Sequence, residues 1–221
     1  MANPIPDTVE SFAEVVGPDG DEIIAEMDDY AEREGFPTVG PAVGGWLELL
    51  ARMVDAERIF EFGSGFGYSA YWFSRALDGD GEIVLTEVDE DELDLAEEYL
   101  ARGDFDSTAH FELGDAIDTV VGYDGPFDVV LIDNEKTRYR EAFETVREKV
   151  APGGVVLADN AVAGGTIDSE DVQALLEGEA VDTDEMSAGI ADYLEAVRAA
   201  PDFQTTLLPV GEGVAVSFRT E

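Results

Sequence analysis

The stretch Arg58-Ile-Phe-Glu-Phe-Gly-Ser-Gly-Phe-Gly-Tyr-Ser69 sets the tightest limit on how this chain can fold. Ile59, Phe60 and Phe62 give the nearly continuous apolar run of a parallel strand buried on both faces. Three glycines within five residues, Gly63, Gly65 and Gly67, then let the backbone turn sharply and approach a ligand closely. A helical pattern follows from Tyr68. Strand, glycine turn and helix in this order predict an α/β fold with a nucleotide-type crevice at the strand ends.

Details of the loop narrow the ligand. A dinucleotide fingerprint needs glycine at the first, third and sixth positions, and the sixth position here is Tyr68. A phosphate-cradling loop needs Gly-Lys-Ser/Thr, and no lysine lies nearby. Glu61 near the strand end attracts an ammonium or sulfonium and repels phosphate. S-adenosylmethionine (SAM), cationic and free of phosphate, fits those constraints.

Charge excludes several partner classes. The 221 residues carry 52 acidic and 12 basic side chains, a net charge of −40, yet 45% are hydrophobic. That apolar content predicts a packed core rather than disorder, and the length suits one domain over 1–221, with a helical region at 1–55 and an α/β core at 56–221. Such an acid excess is expected of a halophilic protein, because molar salt shortens the Debye length to about 3 Å and screens self-repulsion. Nucleic acid and anionic membranes are poor partners for this field. No apolar run reaches the roughly 18 residues of a membrane helix, so a cytoplasmic location is expected. With no cysteine, the chain has neither disulfides nor thiolate metal sites.

In chain order, an acidic helical region is expected at about Asp7–Arg33, with Val15, Ile23, Ile24 and Met27 as one apolar stripe. Gly35–Pro41 breaks it, and Pro41 suits the first turn of a helix carrying Trp46, Leu47, Leu50 and Val54. After a helix at Tyr68–Leu77, Glu82-Ile-Val-Leu-Thr-Glu87 reads as a second buried strand. The offset from Gly63 to Glu87 is near the ~20 residues that bring a carboxylate to ribose hydroxyls, and Val88 would sit by the adenine. A helix at Asp89–Arg102 precedes the stretch His110–Ala116, a short strand reaching another glycine turn. The single histidine, His110, reads as structural rather than catalytic.

Two further strands end in polar clusters. Phe127-Asp-Val-Val-Leu-Ile-Asp133 runs into Asn134-Glu135-Lys136, before a helix with Tyr139, Phe143, Val146 and Val150 at helical spacing. Gly153-Gly-Val-Val-Leu-Ala-Asp159-Asn160 ends the same way. The chain has two lysines, and Lys136 stands three residues after a strand-terminal aspartate. Asp133, Asp159 and Asn160 offer three oxygen donors, which suit a hard divalent cation, magnesium first, whereas zinc lacks its histidine and cysteine ligands. A helix at Ala188–Ala199 and two β runs, Phe203–Leu208 and Val214–Phe218, close the chain as an antiparallel hairpin.

Glu61-Phe-Gly-Ser-Gly-Phe-Gly-Tyr-Ser69, Asp133-x-x-Lys136-x-x-Tyr139 and Gly153-Gly-x-x-x-x-Asp159-Asn160 together resemble the cation-dependent class I O-methyltransferases, the catechol and caffeoyl-CoA group, over roughly residues 38–219. The resemblance implies a Rossmann-like methyltransferase fold: a mostly parallel seven-stranded sheet, a C-terminal antiparallel hairpin, and helices on both faces. It implies SAM contacts from Val39, Glu61, Gly63, Ser64, Gly65, Ser69, Glu87, Val88, Asp115, Ala116 and Asp133. Asp133, Asp159 and Asn160 become the metal ligands, and Lys136, with Asp133 and Asn160, the catalytic group. The implied acceptor is a small catechol-like or vicinal diol, since so acidic a surface offers few places for the phosphates of an acyl-CoA. The acidic segment 167–184 is where acceptor selectivity is expected, and a homodimer is one option for assembly. Two other readings stay open at this point: an NAD(P)-dependent oxidoreductase on the same scaffold, and a SAM-binding protein without catalysis.

Overall fold

A computed structural model of the chain describes residues 4–221; residues 1–3 of the expected N-terminal region lie outside the described residues. Two helices, α1 (Asp7–Val16) and α2 (Glu22–Glu34), stand where one helical region was expected. Gly17-Pro18-Asp19-Gly20 divides them, and Asp21 caps α2 by accepting from the Ile23 and Ile24 N–H groups, both at 3.0 Å. The division breaks the expected stripe. Ile24 and Met27 are buried, while Val15 on α1 is 84% exposed. The third helix, α3 (Gly40–Met53), carries Pro41 in its first turn and buries Leu47.

The rest alternates strand and helix: β1 (Arg58–Phe62), α4 (Tyr68–Ser74), β2 (Glu82–Glu87), α5 (Glu90–Gly103), β3 (Thr108–Leu113), α6 (Ala116–Val121) and β4 (Phe127–Ile132). Then come α7 (Tyr139–Val146), β5 (Val150–Ala158), α8 (Ser169–Leu176), α9 (Glu185–Ala199), β6 (Phe203–Leu208) and β7 (Val214–Arg219). The sheet order is β3-β2-β1-β4-β5-β7-β6. The first five are parallel, and β7 and β6 are antiparallel additions at one edge. The mostly parallel seven-stranded sheet with its terminal hairpin is thus as the sequence implied.

Strand periodicity explains the two cores. Ile59, Ile83, Leu85, Val129 and Leu131 point to one face, under α2 to α5. Phe60, Phe62, Val84, Val130 and Ile132 point to the other, under α6, α7 and α9. Phe60 and Phe62 meet edge to face at 4.9 Å between ring centroids. Each such ring contributes about 1.5–3 kcal/mol by burial, which is why this strand anchors the site end of the sheet.

Several boundaries differ from the sequence reading. The strand from His110 reaches its glycine turn at Gly114 as expected, though it starts at Thr108, and Ala116 opens α6 because the Asp115 side chain accepts the Ile117 N–H at 2.8 Å and caps a new helix. Val150 begins β5 rather than closing the preceding helix; a 3₁₀ turn at Arg147–Lys149 ends that helix first. The acidic segment 167–184 contains α8, capped by Asp168. His110 on β3 lies 3.3 Å from a Glu82 carboxylate oxygen and does not reach the cleft at the strand ends, in line with a structural role. Among the described residues, no helix is long and apolar enough to cross a membrane.

Candidate active site

The carboxyl ends of β1, β2, β3, β4 and β5 converge on a cleft of about 480 Å³. This is where an open α/β sheet places ligands, because the strand order reverses between β1 and β4. Gly63 makes the first wall possible. Its φ is 81°, and a Cβ there would lie 2.8 Å from the Asp133 carbonyl oxygen. Only glycine allows β1 and β4 to end this close, joined by the Asp133 N–H donating to the Phe62 carbonyl at 2.9 Å.

At one end of the cleft the glycine loop meets β2. The Glu87 carboxylate accepts the Gly65 N–H at 2.9 Å through Oε2, and the Val88 and Asp89 N–H groups at 2.7 and 3.1 Å through Oε1. Ser64 is buried, and its N–H donates to the Thr86 carbonyl at 2.9 Å. Val39, Ser69, Val88 and Ala116 also line the cleft, with Phe36 against the glycine loop. Asp115 lines it too, but both its oxygens are engaged: one caps α6 and the other pairs with Arg138. That pairing holds the Asp115 carboxyl below the usual range.

Glu61 differs from expectation in place. It is fully buried and lies behind the cleft wall rather than in it. Neither oxygen finds a partner of normal hydrogen-bond geometry. Burial pushes its pKa up to about 8; the neighbouring Ser69 hydroxyl pulls the other way, and Asp133 adds to the rise. A buried carboxyl with only the Ser69 hydroxyl beside it suits a site whose ligand brings positive charge.

The far end gathers oxygen donors. Lys136 donates to Asp133 Oδ1 and to the Tyr139 hydroxyl, both at 2.8 Å, and Tyr139 OH lies 3.3 Å from the same Asp133 oxygen. A 3₁₀ turn at Lys136–Arg138 brings the lysine back over the strand end. Asp133 is raised by burial, with Lys136 opposing. Asp159 is 5% exposed, and burial followed by the charge of Asp133 pushes it up to about 8. Its Oδ1 has no hydrogen-bond partner. Asn160 follows in the left-handed region, φ 57°, and its side chain lines the cleft, whereas Asp159, just past the end of β5 at Ala158, lies behind that lining.

A hard cation fits this donor set. An unpartnered buried carboxylate oxygen on Asp159, whose pKa is raised by burial and then by the charge of Asp133, is what a divalent ion would stabilise. Among the described residues, no three or more His, Cys, Asp and Glu side chains group as metal ligands by themselves. The Asn160 amide, which lines the cleft and is not among those residue types, could supply a third oxygen donor.

Sequence reasoning missed Arg138, Met186 and Glu212, which also line the cleft. Arg138 carried a usable signal, being one of 12 basic residues and five positions past Asp133. Glu212 carried none, since it lies 52 residues from Asn160, in a turn rich in glycine.

Comparison with known proteins matches this architecture. Residues 19–220 fit the O-methyltransferase family. A catechol O-methyltransferase from Niastella koreensis is 31% identical over 186 residues, covering 80% of this chain and 84% of that protein. A caffeoyl-CoA O-methyltransferase from Stellaria longipes is 25% identical, covering 83% and 77%. An O-methyltransferase from Bacillus cereus in complex with SAH superposes with a TM-score of 0.81 at 25% identity, covering 96% of this chain and 97% of that one. TomG from Streptomyces achromogenes, involved in tomaymycin synthesis and solved with SAM, gives 0.81 at 26% identity, covering 97% and 96%. The oxidoreductase alternative finds no support among these relatives. A fit spanning nearly the whole chain, joined to the strand-end cleft, shows that the chain belongs to the O-methyltransferase family.

Proposed function

We propose that the protein transfers a methyl group from SAM to a hydroxyl of a small catechol-like or vicinal diol acceptor, with a divalent cation, magnesium first, held by Asp133, Asp159 and Asn160. The carrying observation is one cleft with two chemically distinct ends. One end has backbone turns and Glu87 suited to a nucleoside; the other has oxygen donors with Lys136.

SAM in this cleft would supply an electrophilic methyl carbon and leave as a thioether. A cation at the three oxygen ligands would supply positive charge that favours the ionised form of a nearby hydroxyl. The chain does the remaining work. Glu87 and the 63–65 loop hold the nucleoside end. Lys136, steadied by Asp133 and Tyr139, first gives its own proton to solvent and then, as the neutral amine, takes the proton from the acceptor hydroxyl. Closely set strand ends keep donor and acceptor oriented, which lowers the barrier without a covalent intermediate on the protein.

The acceptor is read as neutral or cationic. Lys136 and Arg138, the two cationic side chains lining the cleft, are already paired with Asp133 and with Asp115 and Glu141. Little positive charge is left over for CoA phosphates. The acid excess is read as adaptation to molar salt. A cytoplasmic location and a dimer stay expectations of the sequence, and neither enters the mechanism.

Calorimetric titration with SAM and NAD in molar KCl, with and without magnesium, followed by a methylation assay on a catechol, tests this reading. SAM should bind, NAD should not, and chelator should abolish turnover. Full turnover in chelator would refute the cation, and NAD binding in place of SAM would refute the reaction.

A further inference from the structure

The C-terminal hairpin reaches into the cleft. The Val162 and Ala163 N–H groups both donate to the Glu212 carbonyl at 3.1 Å, and the Ala161 N–H donates to the Gly213 carbonyl at 2.8 Å. These three bonds fasten the turn between β6 and β7 to the segment that follows Asn160. They deliver the Glu212 carboxylate to the Asn160 amide, whose Nδ2 donates to Oε2. Gly164, at φ 112°, closes the arrangement, since a Cβ there would lie 2.6 Å from both Asn160 Nδ2 and Glu212 Oε2. The contact exists only because that position carries no side chain.

An asparagine amide has a donor end and an acceptor end of nearly equal size, and packing alone barely distinguishes them. An ionised carboxylate can only accept. Glu212 therefore draws the amide NH₂ toward the hairpin and turns Oδ1, the end able to bind a cation, away from it. Neighbours that orient a ligand in this way commonly decide how tightly a metal is held.

We infer that Glu212 is a positioning residue for the cation site, fixing the Asn160 amide so that its oxygen is presented as a ligand. This role rests on the proposed use of Asp133, Asp159 and Asn160 as cation ligands. A second observation points to a ligand there: the buried Asp159 Oδ1 without a partner. Nothing in the core depends on Glu212, which is exposed at a turn, so its carboxylate can be replaced without threatening the fold.

The test is a double-mutant cycle read by magnesium affinity, with no turnover involved. Magnesium chloride is titrated calorimetrically, in molar KCl, into the wild-type protein, Glu212→Gln, Asn160→Ala and the double variant. Manganese, which such sites generally bind more tightly, replaces it if a variant is too weak to measure. Glu212→Gln should weaken the ion about 10- to 100-fold. In the Asn160→Ala background the same change should cost less than about twofold, because Glu212 acts through that amide. SAM affinity without metal, measured on all four proteins, should stay unchanged and so exclude general damage. Wild-type affinity in Glu212→Gln overturns the role, and so do fully additive losses, which would mean that Glu212 acts by charge alone. Failure of the wild-type protein to bind either ion would instead overturn the cation site itself.

Discussion

Glu87 and Gly65 are joined across the cleft by a 2.9 Å hydrogen bond, so the acid that ends β2 also holds the glycine loop that follows β1. Its other oxygen accepts the Val88 and Asp89 N–H groups. Glu87 thus holds the glycine loop and the start of the turn after β2 together before any ligand arrives. Glu87→Ala should weaken SAM by about 1–3 kcal/mol, combining lost ribose hydrogen bonds with a loosened loop. Calorimetric titration checks this, and an unchanged dissociation constant would remove Glu87 from the site.

Lys136 can be tested by a substitution that separates charge from proton transfer. Arginine keeps the positive charge and cannot be deprotonated. If Lys136 accepts the hydroxyl proton, Lys136→Arg and Lys136→Ala should both lose ~10² or more in kcat. Retention of most activity by Lys136→Arg would mean that the side chain only orients the acceptor and stabilises its oxygen.

Asp159 links function to stability. Burial and the charge of Asp133 push its pKa up to about 8, so ionising it without a bound cation costs the native state free energy. Asp159→Asn removes that charge and keeps the shape. In chelator this variant should melt at a higher temperature than the wild type above pH 8, and it should show no cation-dependent turnover. A lower melting temperature in chelator would argue that Asp159 is not a strained carboxylate.

The strand ends were legible in the sequence because each buried parallel strand is an apolar run that stops at a polar residue. That rule places Asp133, Asp159 and Asn160 just past the ends of β4 and β5, and Glu87 at the end of β2, where the structure has them. What the sequence hid was side-chain engagement. Asp115 was expected as a SAM contact, and nothing in the sequence showed that its oxygens cap α6 and pair with Arg138, a contact between residues 23 apart. Glu61 looked like a direct ligand contact, yet the sheet buries it behind the wall. Glu212 was invisible, because its partner lies 52 residues away and only the pairing of β5 with β7 brings them together.

Glu61 gives a pH prediction with a definite sign. Its folded pKa is raised to about 8, so between about pH 4.5 and 8 the native state holds a proton that the unfolded chain has lost. Its contribution to stability is fully present below the unfolded pKa and is lost as pH rises through about 8. The ligand-free protein should therefore melt lower at pH 8 than at pH 5.5, and Glu61→Gln should remove part of that slope. Cationic SAM favours the ionised carboxylate, so binding should release a proton at pH 6 to 7.5. Calorimetry in buffers of different ionisation enthalpy reads that proton directly, and its persistence in Glu61→Gln would assign it to another group.

The net charge of −40 makes a prediction that does not depend on the family. Among the described residues, many of the acids stand on exposed helix faces, as in Glu90–Gly103, where they repel one another through solvent. That repulsion extends over about 10 Å at 0.1 M salt and about 3 Å at 1 M. The stability of such a fold is typically only ~5–15 kcal/mol, so unscreened repulsion among so many charges is large enough to cancel it. Low salt should unfold the protein. Magnesium and SAM, bound by the native state alone, should partly restore it by mass action. The measurement is a series of melts from 0.1 to 3 M KCl, with and without both ligands. The midpoint should climb with salt, most steeply below 1 M where the Debye length changes fastest, and the ligands should raise it most at the low end. A midpoint that stays flat or falls as salt increases would refute the adaptation to high salt.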